Sequence, residues 1–329
     1  MFVSFGFRFR AEAEALNMAE AIGNYARHRL APIIKVEKND EGKIISYRVT
    51  MAPAVSGQSV AYGYMKALVE LAKRAGLPLC DQCRNYEQYG GFLKRPSSVI
   101  PHDRRVEECV VEDVTGFMTA VKEEEEKKRR SSKDKKEEGK EERGVSIKRT
   151  SAVMFSYLVP DGVGVVAPQM HVRYSRADPD EQMLFQVESG SAVYIHGVAV
   201  DVDRIGLREE GGYVEDRVKR AELAFEALKR LYSGLLFGAK KSRYLPVFEA
   251  LGGVAAVSRG LPFMVSPPRL GDYVAETARR AAAVDKDIRL FCFDREGITS
   301  CYRAEGATPV STLEELIDAV KEAVLGALR

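Results

Sequence analysis

Val3, Phe5, Phe7 and Phe9 alternate with Ser4, Gly6, Arg8 and Arg10. That period of two predicts a strand with one buried face. Further along, apolar stretches at 33–36 and 43–51 flank Asn39-Asp40-Glu41-Gly42, a turn composition that predicts a hairpin. A helix opens at Ser56-Gly57-Gln58-Ser59 and carries Val60, Tyr64, Leu68 and Leu71 on one face, with Gly76 and Pro78 as its stop. From 79 to 143 the pattern is poor, which predicts a long insertion in the core fold. Strands follow over 147–159 and 184–202. The clearest helix spans 213–237, where Val214, Val218, Ala221, Phe225, Leu228, Tyr232 and Leu235 step by four and three. A strand over 253–258 returns to the core, and 288–293 with 298–303 predict a last strand pair. Ser311 with Glu314 forms a capping box for the final helix.

Without its insertions, the order is strand, helix, strands, helix, strand. It predicts an α+β fold with a ferredoxin-like βαββαβ core, the fold of RNA-recognition (RRM-like) modules. The expected organisation is one domain over 1–329, with an inserted region over 76–145. Periodicity alone also admits other α+β sheets.

Composition narrows the partners. The chain has 329 residues, 45% hydrophobic, and a net charge of +2, so bulk charge gives no footprint for a polyanion. Residues 122–143 hold 10 Lys or Arg and 9 Asp or Glu, which predicts a solvated, mobile loop or frayed helix without a core of its own. No apolar run is long enough to span a bilayer, and five cysteines do not suggest a secreted disulfide scaffold, so a cytoplasmic protein is expected.

Local patterning is more informative. Residues 23–32, 170–175 and 237–246 each set Lys or Arg beside Tyr, and the first two also hold His. Cations beside aromatic planes suit a single-stranded nucleic acid, whose phosphates need charge and whose bases need stacking partners. The candidate contacts are Asn24, Arg27, His28 and Arg29, then His171 and Arg173, then Lys240, Lys241 and Arg243. Ser56, Gly57, Gln58 and Ser59 join them, because free N–H groups at a helix start hold phosphate. The alternative for Ser56 is a plain N-cap, for His171 a structural histidine, and for the lysines stabilisation at a helix C-terminus. Cys80 and Cys83, two residues apart, with His102 and Cys109 downstream, make a candidate tetrahedral zinc set; buried free thiols or a disulfide are the alternatives. Walker, dinucleotide, nucleophile-elbow and metalloprotease motifs are missing from the sequence.

Together these residues resemble a known family. The carriers are Gly23-Asn24 with His28-Arg29 and Ala31-Pro32, then Val55-Ser56-Gly57, then Gly76-Leu77-Pro78 with Cys80 and Cys83. They continue through Cys109-Val110-Val111-Glu112-Asp113-Val114, Arg149-Thr150-Ser151 with Met154-Phe155, His171-Val172-Arg173-Tyr174 and residues 237–246. The chain resembles the archaeal DevR-like CRISPR-associated group, the backbone subunit of the type I-A Cascade complex. The resemblance implies a modified ferredoxin-like palm with finger and thumb insertions, the thumb being a hairpin over 159–183. It further implies a non-catalytic subunit that assembles as a helical filament along CRISPR RNA. Such a subunit presents the guide for pairing with target DNA and contacts other Cascade subunits, including the one that binds the 5′ handle. By position it places 24–29 and 56–59 along the RNA path, with His171 and Arg173 at the base of the thumb. A ribonuclease using Glu12, Glu14 or Glu20 after the first strand, or a DNA-binding regulator, are the competing classes.

Overall fold

The computed structural model describes residues 1–92, 94–95, 100–120, 146–174, 183–303 and 306–329; the charge run at 122–143 lies outside them. The first strand, β1 (Phe2–Glu14), is longer than its alternating core and is buried on both faces from Val3 to Phe9. Phe5, Phe7 and Phe9 stack along one face, with centroid spacings of 5.4 and 5.8 Å. The opposite face, expected in water, lies under residues 261–270. Ser4 donates to Phe263 O at 2.8 Å, and Gly6 leaves space for Val265 and Pro268. Arg8 donates to Glu296 at 2.6 Å, to Pro268 O at 2.8 Å and to Asp161. A buried guanidinium with acceptors on several of its donors is tolerated where an isolated one is not. The polar half of the alternation was therefore read correctly as a face and wrongly as solvent.

The remaining elements are β2 (Met18–Ile22), β3 (Tyr25–His28), β4 (Leu30–Lys38), β5 (Ile44–Pro53), α1 (Gly57–Ala75), α2 (Asp81–Arg84), α3 (His102–Glu108) and α4 (Val110–Thr115). Then come β6 (Phe117–Ala120), β7 (Ser146–Arg149), β8 (Val153–Phe155), β9 (Val159–Arg173), β10 (Met183–Asp201) and α5 (Arg217–Ser233). The chain closes with β11 (Val247–Ser258), α6 (Tyr273–Val284), β12 (Arg289–Asp294), β13 (Ala307–Pro309) and α7 (Leu313–Leu328). Nine of the described strands make one mixed sheet in the order β13-β12-β11-β1-β10-β3-β2, with β8 and β9 also on β10. β1 pairs antiparallel with β11 from Phe2↔Ser258 to Glu12↔Val247. Tyr232 of α5 packs its ring on Phe7 and Phe9 at 5.2 Å and donates or accepts at His196 Nε2, 2.9 Å away. Burial drops His196 to about 3, so it is a neutral core group.

The chain divides into two compact units: 1–64, 154–200 and 228–329 form the first, and 65–153 with 201–227 form the second. The second unit holds the inserted region and is centred on Asp113. That buried carboxylate accepts from Arg149 Nη2 at 2.6 Å, Arg220 Nη1 at 3.0 Å and Gly206 N at 3.0 Å. In the first unit, β4 and β5 form a separate two-stranded ribbon closed at Asn39, whose Oδ1 accepts from Lys43 N at 2.8 Å, as the turn composition predicts. Near the C-terminus two expectations shift. Residues 298–303 are not a strand, because Asp294 gathers Glu296 N, Gly297 N and Thr299 N into a turn, and a Cys292–Cys301 disulfide closes it; β12 pairs instead with β11 on one side and β13 on the other. The last helix starts one residue later, with Thr312 accepting from Glu315 N at 3.1 Å and Glu315 accepting from Ser311 N at 2.7 Å. No helix among the described residues is long and apolar enough to cross a membrane.

Candidate nucleic-acid interface

The candidate segments of the first unit meet at the corner after β1. Ala13, at φ 52°, turns the chain there, and Glu14 to Asn17 then bond to the candidate segments. Asn17 O accepts from Arg29 N at 2.7 Å, and Asn17 Oδ1 accepts from Ser56 N at 2.8 Å. Leu16 O accepts from Ala239 N at 2.8 Å, and Gly238 at φ +86° lets the 237–246 segment lie on Leu16. Glu14 is fully buried and accepts from Tyr194 Oη at 2.7 Å, Leu16 N at 2.7 Å and His28 Nε2 at 2.6 Å. This corner was missed by sequence reading. Its Ala-Glu-Ala-Leu-Asn has no turn signature apart from one asparagine, and only Ala13's left-handed backbone marks it.

His28 requires correction as an RNA contact. Its side chain has no exposed surface, Nδ1 sits 2.8 Å from Arg29 O and Nε2 faces Glu14. Burial pulls the imidazole down, but the Glu14 carboxylate outweighs burial and holds it above its ordinary value. Burial likewise pushes Glu14 up, and His28 with the Leu16 and Tyr194 donors holds it below. The pair is an ion pair that fixes the backbone of 28–29. Glu14, named for the competing ribonuclease, is likewise buried and has no exposed surface. Residues 18–28 are a hairpin, β2 with β3, and β3 runs parallel to β10. It leaves Asn24 exposed at its turn and Arg27 exposed beside Glu20, 3.9 Å away. Arg29 is half-buried.

At the helix start, Ser56 is buried and caps α1, its Oγ accepting from Ser59 N at 3.2 Å. A Cβ on Gly57 would fall 2.4 Å from Phe155 O, so the glycine serves close packing against β8. Two of the N–H groups expected to meet phosphate are thus already engaged, and Ser56 and Gly57 act by structure. Gln58 is exposed and Ser59 half-buried.

The other two segments touch each other. His171 on β9 hydrogen-bonds Tyr244 Oη through Nε2, stacks on Phe185 at 5.1 Å and meets Tyr244 edge-on at 5.8 Å. Lys241 donates Nζ to Leu235 O beyond α5, the helix-end role weighed against it from sequence. Arg173, Lys240 and Arg243 are exposed and have no ion pair among the described residues. Lys240 sits at φ 57° at the head of a turn whose Arg243 N and Tyr244 N bond back to its carbonyl. What emerges is a set of unpaired cations and polar groups with one accessible aromatic pair. It can hold phosphates and stack a base.

In the second unit, Cys80, Cys83 and Cys109 bring their sulfurs within 4.8 Å of one another, all buried. His102 is not with them: its Nδ1 lies 2.8 Å from Asp103 Oδ1, and its ring packs on Phe117 at 5.4 Å. The four-ligand set expected from sequence reduces to three.

Comparisons with known proteins place the chain in a family. Residues 5–278 match the family described as CRISPR-associated negative auto-regulator DevR/Csa2. The chain is 32% identical over 299 residues to CRISPR-associated protein Cas7/Csa2 1 of Saccharolobus solfataricus, covering 83% of each. It is 29% identical to the CRISPR-associated aCascade subunit Cas7/Csa2 2 of the same organism, covering 97% of this chain and 99% of that one. A Cas7/Cst2/DevR protein of Thermoproteus tenax is 26% identical, over 93% of this chain and 88% of the relative. A chain of a CRISPR RNA-guided surveillance complex shares the fold at a TM-score of 0.56 and 13% identity, over 98% of this chain and 100% of that one. On the length of the match and the identity to its archaeal relatives, the chain belongs to the DevR/Csa2 family of CRISPR-associated proteins.

Proposed function

We propose that this chain is the non-catalytic RNA-binding backbone subunit of a CRISPR surveillance complex of the Cascade type. It holds CRISPR RNA by phosphate and ribose and leaves the bases free to pair with target DNA. The observation that carries the reading is the corner at 14–17, which ties the hairpin at 24–29, the helix start at 56–59 and the cationic turn at 238–246 to one place. Exposed Asn24, Arg27, Gln58, Arg173, Lys240 and Arg243, with half-buried Arg29, Ser59 and His171, are the RNA-facing groups; His28, Ser56, Gly57 and Lys241 support them from beneath. The palm is of the ferredoxin-like type. The strand order β8-β10-β1-β11, with α1 and α5 as the intervening helices, supports that reading. β9 with the start of β10 is the thumb, and residues 76–145 are the finger region.

Self-association into a filament is favoured by two apolar ribbons. β4–β5 exposes Ile34, Ile45, Tyr47, Val49 and Met51, each at least 57% exposed, and the thumb exposes Val163, Val172 and Leu184. Apolar faces of that extent call for cover in the working state. The neighbouring copies and other Cascade subunits, including the one at the 5′ handle, supply that cover.

Anisotropy of labelled single-stranded RNA of guide length, titrated across a range of salt, tests this proposal. Four exposed cations predict a log–log slope of about −3, at roughly −0.7 per phosphate neutralised, with little dependence on sequence. Affinity unchanged by salt refutes it. RNA cleavage with a divalent metal, abolished by Glu12→Ala or Glu20→Ala, would replace it with the ribonuclease.

A further inference from the structure

The RNA-binding reading leaves the three-cysteine cluster unexplained. Cys80 is the extended N-cap residue of α2, at φ −65° and ψ 157°, and Cys83 follows three residues later on the same helical turn. Cys109 is the extended residue joining α3 to α4, at φ −150° and ψ 109°. A bond from Val110 N to Pro78 O, at 3.0 Å, holds the two segments together beside the sulfurs.

Two features separate this cluster from ordinary core thiols. All three sulfurs lie in mutual reach, so no single disulfide accounts for the arrangement; a disulfide joins two and strands the third. Sulfurs bound tetrahedrally to one zinc at about 2.3 Å stand about 3.8 Å apart, a small adjustment from a cluster of this size. The charge is also balanced. Three thiolates with a divalent ion carry a net charge of −1. Lys94, fixed by Thr115 O at 2.9 Å and by Gly116 O, places its ammonium within electrostatic reach of all three sulfurs. Glu112, a buried carboxylate on α4, is already occupied by Arg95 at 2.7 Å and Arg105 at 3.4 Å.

We propose that Cys80, Cys83 and Cys109 bind one zinc ion that fastens the start of the finger region to the α3–α4 junction, with Lys94 as the charge-balancing cation. No fourth His, Cys, Asp or Glu ligand joins the cluster among the described residues. The ion is structural. It closes a stretch that also carries buried polar networks around Glu112 and Asp113.

The test uses the full chain, purified under reducing conditions and passed through gel filtration. Elemental analysis is expected to give one zinc per chain, released when a mercurial blocks thiols. Cys83→Ser is expected to lose it, and His102→Ala to keep it. If Cys83→Ser fails to fold, cobalt replaces zinc in the unmutated chain, where a near-ultraviolet thiolate-to-cobalt band of three-sulfur intensity is the expected result. Removing zinc is expected to lower the Tm. A folded, reduced chain that takes up neither zinc nor cobalt overturns the proposal. So does peptide mapping that finds Cys80, Cys83 or Cys109 in a disulfide, full zinc in Cys83→Ser, or zinc lost in His102→Ala.

Discussion

Replacing Glu14 by Gln tests whether the buried pair with His28 holds the corner as an ion pair. The carboxylate has no exposed surface and accepts three hydrogen bonds between 2.6 and 2.7 Å. Gln preserves the volume and one acceptor oxygen, but it removes the charge and turns one oxygen into a donor facing Leu16 N or His28. Breaking a buried pair from one side costs about 3–5 kcal/mol, and a hydrogen bond to a charged group about 1.5–3 kcal/mol. A loss of about 3 kcal/mol follows for this conservative change, or about 6–12 °C in Tm at roughly 2–4 °C per kcal/mol. The pH dependence is more specific. His28 is raised above 6.5 in the folded chain, so its contribution is full below 6.5 and is lost as pH climbs through the raised value. Glu14 is lowered from 4.5, so its contribution is full above 4.5 and is lost as pH falls through the lowered value. The pair therefore stabilises most between about pH 4.5 and 6.5. Thermal melts followed by circular dichroism at pH 5.5 and pH 9 measure this directly. The gap between wild type and variant should be widest at the lower pH. A variant within about 0.5 kcal/mol of wild type, the scatter of ordinary surface changes, or a gap that does not vary with pH, refutes the ion pair.

Lys240→Ala with Arg243→Ala should leave the melt unchanged and weaken RNA binding, with the salt slope shallower by about 1.4; anisotropy at several salt concentrations reads both. Gly238→Ala forces a Cβ to 2.5 Å from Leu16 Cδ2 at a φ of +86°. It should destabilise the chain by about 1–3 kcal/mol, seen in urea titration. Asp113→Ala strands Arg149 and Arg220 in a buried site. A loss of about 3–5 kcal/mol should appear as faster limited proteolysis within 65–153 and 201–227.

Local pattern carried much of this fold. The alternation of β1, the Asn39 turn, the face of α1 and the period of α5 all depend on neighbours in sequence, and each yields a recognisable element. What escaped was set by segments distant in sequence. The second face of β1 reads as polar because Arg8 is polar; only the arrival of Asp161, Pro268 and Glu296 buries it. His28 reads as a basic-loop residue because nothing nearby announces that Glu14 lies 2.6 Å away across a turn. That Arg27, Arg173, Lys240 and Arg243 lie at the surface was legible, since a charged side chain stays in water unless a partner buries it. His102 was misplaced for the opposite reason: metal ligands are defined by distance, and spacing along the chain does not fix distance.

The pairing of Phe2 with Ser258 has a consequence for biosynthesis. The strand richest in phenylalanine leaves the ribosome well before its partner on one edge, which follows about 250 residues later. At roughly 5–20 residues per second, β1 waits on the order of 13–50 s for that edge. During the wait, Phe5, Phe7 and Phe9 have neither β11 nor Tyr232 to cover them. The nascent chain is thus a candidate for chaperone capture, and fragments that stop short of residue 247 should be recovered as aggregates rather than as a shortened subunit.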